Sequence, residues 1–429
     1  NKSLLVDEGV PFVNAGHLSD GRVNEDEMTF ITQERFDLLK AGKFSIGDIL
    51  FCLRGSLGKS AIVDSIETGA IASSLVIVRL IGDISREFIH EYFNSPLSYR
   101  QILLYDNGTA QPNLSAAHLG KFLVPVPPEA EQPRIVAKVD ELMALCDQLE
   151  QQTETSLNAH QTLVETLLKA LLNAAQSRDD TSAFKQAWQR IVDHFDVLFT
   201  TEHSIDQLKQ TILQLAVMGK LVPQDSNDEP ASVLLEKIAA EKERLVKEGK
   251  IKKQKKLPPI SDEEKPFELP EGWEWARLSD IGIGFTGKTP STKNAEFFDG
   301  DIPFIGPGQI TPEGHLLTAD KFLSQSGLEH SVEAVPGDIL MVCIGGSIGK
   351  SVVSDKRIAF NQQINSLRAL KISSRYLHIA LKTDTFYNSV LEKASGSATP
   401  IINRSKWEEL LVPVCPETEQ PRIVAKVDS

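Results

Sequence analysis

Hydrophobic positions at both ends of the chain predict a mixture of short strands and short helices. Apolar runs bounded by glycine turns lie at residues 48–53, 75–80 and 338–344, and such runs are typical of strands in a sheet. Residues 85–93 and 374–387 instead have the character of short helices. The fold class that we predict for both ends of the chain is therefore α+β.

The middle of the chain has the hydrophobic spacing of long helices. Between residues 133 and 172 many apolar positions alternate four and three residues apart, which is the a/d spacing of a coiled coil. A helix of that length, roughly 40 residues, would extend about 60 Å. Amphipathic helices are also expected at residues 183–199 and 204–217, with Gly219 as a stop, and a charged helix at residues 231–248. We predict that the long helix packs through the residues Ile135, Val139, Leu142, Cys146, Leu149, Leu163 and Leu167.

The two α+β ends are copies of one domain. The decapeptide EQPRIVAKVD occupies residues 131–140 and recurs unchanged at residues 419–428. The match continues upstream, with LVPV before each decapeptide and GDIL at residues 47–50 and 337–340. Because the offset between matched residues drifts only from 292 to 288, the two copies differ by small loop insertions.

The loops between these anchors differ strongly. IASSL at residues 71–75 corresponds to IAFNQQI at residues 358–364. A shared scaffold with altered loops is how one fold acquires two specificities. The predicted domains are residues 1–128, the helical spacer and linker 129–266, the second copy 267–416, and the start of a second spacer helix at 417–429.

Composition indicates a folded protein whose overall charge does not attract polyanions. Hydrophobic residues make up 41% of the chain, and 45 Lys and Arg face 59 Asp and Glu, for a net charge of −14. The acidity is concentrated in residues 129–280, which hold 19 basic and 28 acidic side chains, whereas residues 281–416 hold 13 of each. The four cysteines lie far apart and no apolar run approaches a membrane span, so we expect no metal site, no disulfide framework, no membrane contact and a cytoplasmic location.

Glycine motifs are the main candidates for chemistry, and most have a structural explanation. Residues 282–287 match G-x-G-x-x-G, but KTPS follows them where a nucleotide fold needs a helix. Residues 55–60 and 346–351 end in Gly-Lys-Ser, yet they are shorter than a phosphate loop. Each is either a hairpin turn between two strands or such a turn whose lysine also contacts a phosphate. No hydrolase, zinc-protease or amino-methyltransferase motif is present, so we do not expect catalysis on this chain.

Three phrases in the second half carry a resemblance to a known family. They are GKLVPQ at residues 219–224, NDEPA at residues 227–231 and LPEGWEW at residues 269–275. Together with the repeat and the long helix, in this order, they resemble the specificity subunit of type I restriction-modification enzymes. The resemblance covers essentially the whole chain.

The resemblance implies a prokaryotic DNA-recognition subunit with no active site and no cofactor of its own. In that family two target-recognition domains each read one half of a split, asymmetric sequence in double-stranded DNA. Long helices set the spacing and dock methyltransferase subunits, which carry S-adenosylmethionine. The complex can also recruit restriction translocase-nuclease subunits, which use ATP.

The chain departs from the family pattern at both ends. The first copy has no counterpart of residues 269–281, and the sequence stops at Ser429 where a second long helix is expected, which suggests a fragment. The apolar stripe of the long helix would then need another partner. Two alternatives stay open: the recognition portion of a fused methyltransferase-nuclease, and an interaction scaffold that does not bind DNA.

Polar residues of the divergent loops are the candidates for DNA contact. Bidentate amides suit adenine, and guanidinium groups suit guanine and phosphate. For base reading we predict Gln111, Asn113, Asn361, Gln362 and Gln363. For phosphate contact we predict Arg54, Lys59, Lys288, Lys350, Arg404 and Lys406.

Overall fold

The computed structural model describes residues 5–106, 113–176, 181–253, 257–396 and 399–429. The chain divides into two compact units, Asn1–Thr155 and Ser156–Ser429, and each unit contains one copy of the repeat. The predicted α+β class with a long central helix is confirmed. No helix in the described ranges combines the length and apolar character that a membrane span requires.

The described part of the first unit contains nine short strands and four short α-helices before the long helix begins. The strands are β1 (Val10–Val13), β2 (Leu18–Ser19), β3 (Arg22–Val23), β4 (Thr29–Ile31), β5 (Lys43–Ser45), β6 (Ile49–Cys52), β7 (Ser60–Ile62), β8 (Thr68–Ile71) and β9 (Leu75–Val78). The helices are α1 (Gln33–Leu38), α2 (Arg86–Asn94), α3 (Pro96–Tyr105), α4 (Ala116–Leu119) and α5 (Gln132–Gln176), the last of which contributes residues to both units.

Two sheets form the centre of the first unit. One has the strand order β4-β1-β8-β5 and the other β2-β3-β7-β6-β9. Side chains alternate across β6, as expected for a strand buried on both faces. Leu50 and Cys52 belong to one core cluster with residues of the first sheet, whereas Ile49 and Phe51 belong to another with side chains of α2.

The second unit contains helices and strands that lie both before and within its copy of the repeat. These helices are α6 (Thr181–Asp193), α7 (Phe195–Leu198), α8 (Glu202–Val217), α9 (Ala231–Lys247), α10 (Leu278–Ile281), α11 (Gln325–Glu329), α12 (Ser374–Leu381), α13 (Asp384–Lys393), α14 (Arg404–Glu408) and α15 (Glu419–Val427). The strands are β10 (Glu274–Arg277), β11 (Gly282–Thr286), β12 (Ile302–Ile305), β13 (Lys321–Leu323), β14 (Glu333–Ala334), β15 (Ile339–Val342), β16 (Ser351–Val353), β17 (Ile358–Phe360), β18 (Ile364–Ala369) and β19 (Leu411–Val414). Gly219, at φ +67°, follows the C-terminus of α8 as predicted.

The second unit repeats most of the strand pairings of the first. Its sheets have the orders β13-β12-β17-β14 and β11-β18-β15-β16, and β12 is parallel to β17 as β1 is to β8. β15 alternates like β6: Leu340 and Val342 belong to the core cluster of Phe360, while Met341 belongs to that of Trp407. A third sheet pairs β10 with β19.

The second half of α5 packs within the second unit. Its buried residues Val164, Leu168, Leu171 and Ala175 form a core cluster with side chains from the helices that follow, including Leu215 of α8. Their spacing is the four-three alternation of a helix with one apolar face.

Candidate nucleic-acid interface

Three separate segments of the first unit meet at the backbone of Leu53. The Leu53 N–H donates to the Ser74 carbonyl (2.8 Å), and its own carbonyl accepts from the Leu114 N–H (2.9 Å). Leu53 directly follows β6 and opens the glycine turn that leads to β7. The Leu53 junction thus consists of residues 53–59, 72–74 and 113–115.

The second unit has the same arrangement at Cys343. The Cys343 N–H donates to the Gln363 carbonyl (2.8 Å), and its carbonyl accepts from the Ile402 N–H (3.0 Å). The Cys343 junction consists of residues 343–350, 361–363 and 400–403. Burial raises the pKa of the Cys343 thiol to about 12, so the thiol stays protonated and is not a nucleophile.

The glycine turns of both junctions are hairpin turns. β6 pairs antiparallel with β7, and β15 pairs antiparallel with β16. Each turn has two glycines in the left-handed region, Gly55 and Gly58 in one and Gly345 and Gly349 in the other. The hairpin interpretation is confirmed, and phosphate contact by the adjoining lysine stays a prediction.

The turn before β9 and β18 has the same backbone in both junctions but different side chains. The N–H groups of Ala72 and Asn361 donate to the carbonyls of Val13 and Ile305 (2.8 and 3.0 Å). Each turn is then closed by a hydrogen bond across it: the Leu75 N–H donates to the Ala72 carbonyl (3.0 Å), and the Ile364 N–H donates to the Asn361 carbonyl (3.2 Å). The side chains that these turns carry are Ala72, Ser73 and Ser74 in the first unit and Asn361, Gln362 and Gln363 in the second.

Two predicted base-reading amides of the second turn orient each other. The Asn361 Oδ1 accepts from the Gln363 N–H (3.0 Å), and its Nδ2 donates to the Gln363 Oε1 (3.2 Å). The exposed Gln362 accepts through Oε1 from the Thr289 hydroxyl (2.7 Å). Thr289 is a candidate that the sequence analysis missed, although it follows the predicted Lys288 directly.

The G-x-G-x-x-G match at residues 282–287 lies directly before Lys288 and brings it to this turn. Residues 282–286 form β11, and no described helix follows directly, so the argument against a dinucleotide fold holds. The glycines permit close packing instead: a Cβ on Gly287 would collide with the Asn361 carbonyl, and one on Gly284 with the Glu408 side chain. The Lys288 N–H donates to the Phe360 carbonyl (3.0 Å), which places the backbone of Lys288 next to the turn, and the Lys288 side chain is exposed.

In the first unit the structure brings two predicted residues together. The Arg54 Nε donates to the Asn113 Oδ1 (3.0 Å), and the two residues also form an isolated backbone bridge. Lys59 is exposed at the end of the same glycine turn. Gln111 lies outside the described residues.

The remaining predicted cations of the second unit differ in their freedom to contact phosphate. Lys350 is half-buried at the end of the glycine turn. Arg404 and Lys406 lie on α14, just after the junction segment, and reach main-chain carbonyls of Gly284 (3.4 Å) and Lys393 (3.1 Å). Burial raises the pKa of Glu408, whose carboxyl lies 3.6 Å from the Arg404 Nε.

The predicted helix-packing stripe has a different environment in each half of α5. Ile135 and Val139 are half-buried, and Ile135 packs against the helix core cluster of the first unit. Leu142, Cys146 and Leu149 are exposed. In the second half the packed positions are Val164 and Leu168, one residue later than predicted, so Leu163 is exposed and Leu167 lies at the edge of the cluster. Packing of the exposed residues against a partner stays a prediction.

An ion pair supports each junction and was not recognised in the sequence. The Arg79 Nε and Nη2 donate to the two carboxylate oxygens of Asp48 (2.8 and 2.6 Å), and Arg368 makes the same two bonds to Asp338 (2.9 and 2.7 Å). The aspartates belong to the repeated GDIL phrase, which was the available signal. Each also accepts from a backbone N–H three residues earlier, so the pair fixes the start of β6 and of β15.

The described residues contain no group of three or more His, Cys, Asp or Glu side chains placed to hold a metal ion.

What both units share is a backbone junction that holds three loops together and varies in its side chains. These features define a tandem recognition scaffold.

Comparison with known proteins identifies the scaffold. The family described as type I restriction modification DNA specificity domain matches residues 1–159 and 270–429, one match in each copy of the repeat. The chain is 39% identical over 415 residues to the type I restriction enzyme EcoAI specificity subunit of Escherichia coli, covering 90% of this chain and 67% of that protein. It is 37% identical over 409 residues to the EcoEI specificity subunit of the same species, with the same coverage.

Among solved structures, the chain is similar to the HsdS subunit from Thermoanaerobacter tengcongensis. The identity is 17% and the TM-score is 0.49, with 99% of this chain and 85% of that chain covered.

The chain belongs to the type I restriction-modification DNA specificity family. The resemblance drawn from the repeat and the three phrases is thereby confirmed. Proteins of this class recognise DNA and are not themselves catalytic, in agreement with the sequence-based expectation.

Proposed function

We propose that this chain is the sequence-recognition subunit of a type I restriction-modification complex and that each repeat reads one half of a bipartite, asymmetric DNA target. Residues 1–128 and 267–416 are the two recognition domains of this proposal. The observation that carries it is the pair of turns at residues 72–74 and 361–363, because their backbone hydrogen bonds match while their side chains differ. Matched backbones with different polar groups suit two readers of different sequences.

The side chains of the two turns suit different base edges. Gln362 is exposed and has an amide, which can pair with both N6 and N7 of adenine in the major groove. Ser73, the exposed residue at the same place in the first unit, has a hydroxyl that can donate or accept a single bond. The Arg54 guanidinium, held by Asn113, adds a group suited to guanine or phosphate.

Phosphate contacts would come from lysines beside the junctions. Lys288 adjoins the base-reading turn of the second unit, and Lys59 and Lys350 end the glycine turns of the two junctions, where residues that position a protein on DNA are expected. Arg404 and Lys406 would have to leave their main-chain partners first, so we expect a smaller contribution from them.

The acidic helical region would face protein partners. The exposed part of the α5 stripe, around Leu142 and Leu149, offers an apolar face to a partner helix. We infer that methyltransferase subunits dock in this region and supply S-adenosylmethionine, and that restriction translocase-nuclease subunits join with ATP. Such a complex would work in the prokaryotic cytoplasm, with none of these cofactors held by this chain.

Exchange of the second turn tests the reading role. Residues 361–363 are replaced by Ala-Ser-Ser, the sequence of the first turn, in a chain assembled with its methyltransferase subunits. Binding selection from random duplexes should then show one altered half-target and one unchanged half-target, because only the Cys343 junction has changed. A matched control, Lys321→Ala on β13, should leave both halves as they were. Two unchanged halves after the exchange would contradict the assignment.

A further inference from the structure

A cleft of about 540 Å³ lies between three helices of the second unit. The second half of α5, one face of α8 and the start of α13 line it. A volume of this size is in the usual range of small-molecule sites. The residues that line the cleft differ from those of the Cys343 junction, so the cleft is separate from the candidate nucleic-acid interface.

A row of three glutamines on α8 lines the cleft. Gln207, Gln210 and Gln214 are three and four residues apart, so they lie on one face of the helix. Gln214 Oε1 accepts from the Thr385 hydroxyl of α13 (2.8 Å). The Oε1 atoms of Gln207 and Gln210 are buried, and neither has a donor within the described residues. A buried carbonyl oxygen without a donor costs free energy, so a ligand that brings N–H groups to this row would be favoured.

An acidic side chain at the same cleft lacks a cation. Asp384 is the first residue of α13, and burial raises the pKa of its carboxyl, with which no cation among the described side chains pairs. The other two acids that line the cleft are compensated. Glu165 pairs with Lys169 (3.3 Å). Asp206 pairs with Lys209 (2.9 Å). One negative charge is therefore left for a ligand to balance.

The cleft also has apolar surface, which suits the stem of an organic cation. This surface comes from Leu168, Leu172, Met218 and Phe267. A guanidinium group is planar, is more weakly hydrated than an ammonium and has five N–H donors, so it can satisfy several acceptors at once beside an aromatic ring.

We propose that the cleft between α5, α8 and α13 binds a guanidinium group carried on an aliphatic stem. The guanidinium donates to the Oε1 atoms of Gln207 and Gln210 and to the Asp384 carboxylate. The stem lies against Leu168 and Phe267. Two sources carry this chemistry, a free small molecule and an arginine side chain of another polypeptide, and the experiment below distinguishes them. The site lies outside both junctions and does not depend on the DNA-recognition proposal.

Isothermal titration calorimetry of the full chain with two probes tests the proposal. Agmatine represents a free cation, and N-acetyl-L-arginine N-methylamide represents an arginine within a polypeptide. At least one of them should bind saturably, with a dissociation constant below about 1 mM. N-acetyl-L-citrulline N-methylamide has nearly the same shape as the arginine probe but no charge, and it should bind at least about tenfold more weakly.

Two substitutions of similar size locate the site. Asp384→Asn removes the charge and Gln210→Leu removes an acceptor, so each should weaken binding by about tenfold. Because the Gln210 Oε1 has no donor in the described part of the chain, Gln210→Leu should not lower the denaturation midpoint of the ligand-free chain. A loss of binding in that variant is then not a loss of folding. Asp355→Asn, on the exposed turn after β16, is the control and should leave binding unchanged.

The outcomes separate the two sources from failure. Stronger binding of the arginine probe assigns the cleft to a polypeptide partner, and stronger binding of agmatine assigns it to a free cation. The proposal is overturned if neither probe binds saturably or if the citrulline compound binds as well as the arginine probe. An unchanged affinity for Asp384→Asn or for Gln210→Leu would also overturn it. No readout involves DNA, so failure here is distinct from failure of the DNA-recognition proposal.

Discussion

Gln132 and Gln420, the same position of the two decapeptides, make the same pair of hydrogen bonds. Each Oε1 accepts from the backbone N–H of a helix-capping serine, Ser85 (2.7 Å) or Ser373 (2.8 Å). Each Nε2 donates to a carbonyl five residues earlier in the chain (3.2 and 3.4 Å). Both glutamines are almost fully buried, so each decapeptide is tied to the start of one helix of its own repeat, α2 or α12.

Removal of one glutamine should destabilise one unit only. Gln420→Ala leaves the half-buried Ser373 N–H without its acceptor and empties the buried site of the glutamine, which costs about 1–3 kcal/mol of unfolding free energy. All four tryptophans lie in the second unit, so denaturant unfolding followed by tryptophan fluorescence reports on that unit. Gln132→Ala, the same change in the first unit, should leave the tryptophan transition in place. An equal shift for both variants would contradict the independence of the two effects.

The Asp338–Arg368 ion pair should contribute more to the unfolding free energy of the second unit than a pair of exposed side chains would. Asp338 is almost fully buried and holds both Arg368 and the Val335 N–H, so Asp338→Ala should cost about 2 kcal/mol. The value stays moderate because Arg368 is partly exposed to solvent. Tryptophan-detected unfolding measures it, and Asp355→Ala on the exposed turn after β16 is the control. A loss no larger than that of the control would show that the pair does not stabilise the hairpin.

His378 should make the second unit less stable in mild acid. Burial lowers the pKa of His378 to about 4, and the ring faces Lys382 and His315, with Nε2 3.1 Å from the Ser351 carbonyl. As the pH falls from about 6.5 toward 4, the unfolded chain binds a proton that the folded chain does not. Stability is therefore lost with falling pH in this window, by up to about 3 kcal/mol at about 1.4 kcal/mol per pKa unit.

Comparison of His378→Gln with the parent chain isolates this effect. The difference in unfolding free energy between the two should change steadily from pH 7 to pH 4.5 in favour of the variant. His203→Gln, at an exposed position of the same unit, is the control substitution. A constant difference for His378→Gln would mean that His378 does not titrate between these limits.

Lys350→Ala should weaken DNA binding without changing which sequence is preferred. A phosphate contact contributes through counterion release, so the slope of log affinity against log salt should fall by about 1. The measurement uses the chain assembled with its partner subunits, on target and random duplexes. Lys356→Ala, at the opposite end of β16, is the matched control. An unchanged salt slope for Lys350→Ala would remove this lysine from the contact surface.

Replacement of residues 1–128 by another recognition domain should change one half of the target. The two junctions lie in different units, and each is closed by its own backbone bonds. Methylation mapping after the exchange reads both halves at once. A change in both halves would contradict the modular reading of the target.

The strands and the repeat were accessible to sequence reasoning because their signals are local. The runs at residues 48–53 and 338–344 became β6 and β15, and the glycine turns became the hairpins that follow them. For the Asp48–Arg79 pair the repeated GDIL phrase marked the aspartate, but it did not reveal the partner, because Arg79 lies 31 residues further along the chain. The predicted packing positions in the second half of α5 were one residue too early for a similar reason. Leu163 and Val164 are both apolar, and only contact with the neighbouring helices decides which of them is buried.

The candidate nucleic-acid interface could be predicted from the sequence only in part. Divergence between the copies pointed to the turn at residues 361–363, and the amide types pointed to DNA bases. Thr289 was missed because its role depends on the close approach of β11 to that turn, which Gly287 permits. The pairing of Arg54 with Asn113 joins residues 59 positions apart and likewise has no local signal.

The ends of the turns at residues 72–74 and 361–363 are tied to neighbouring segments by main-chain hydrogen bonds. Mutations that replace their side chains consequently leave the supporting bonds in place, and an inherited change of preference need not be preceded by a compensating change elsewhere. Since each repeat has its own turn, the half-target proposed for one repeat can change while the turn of the other repeat stays as it is.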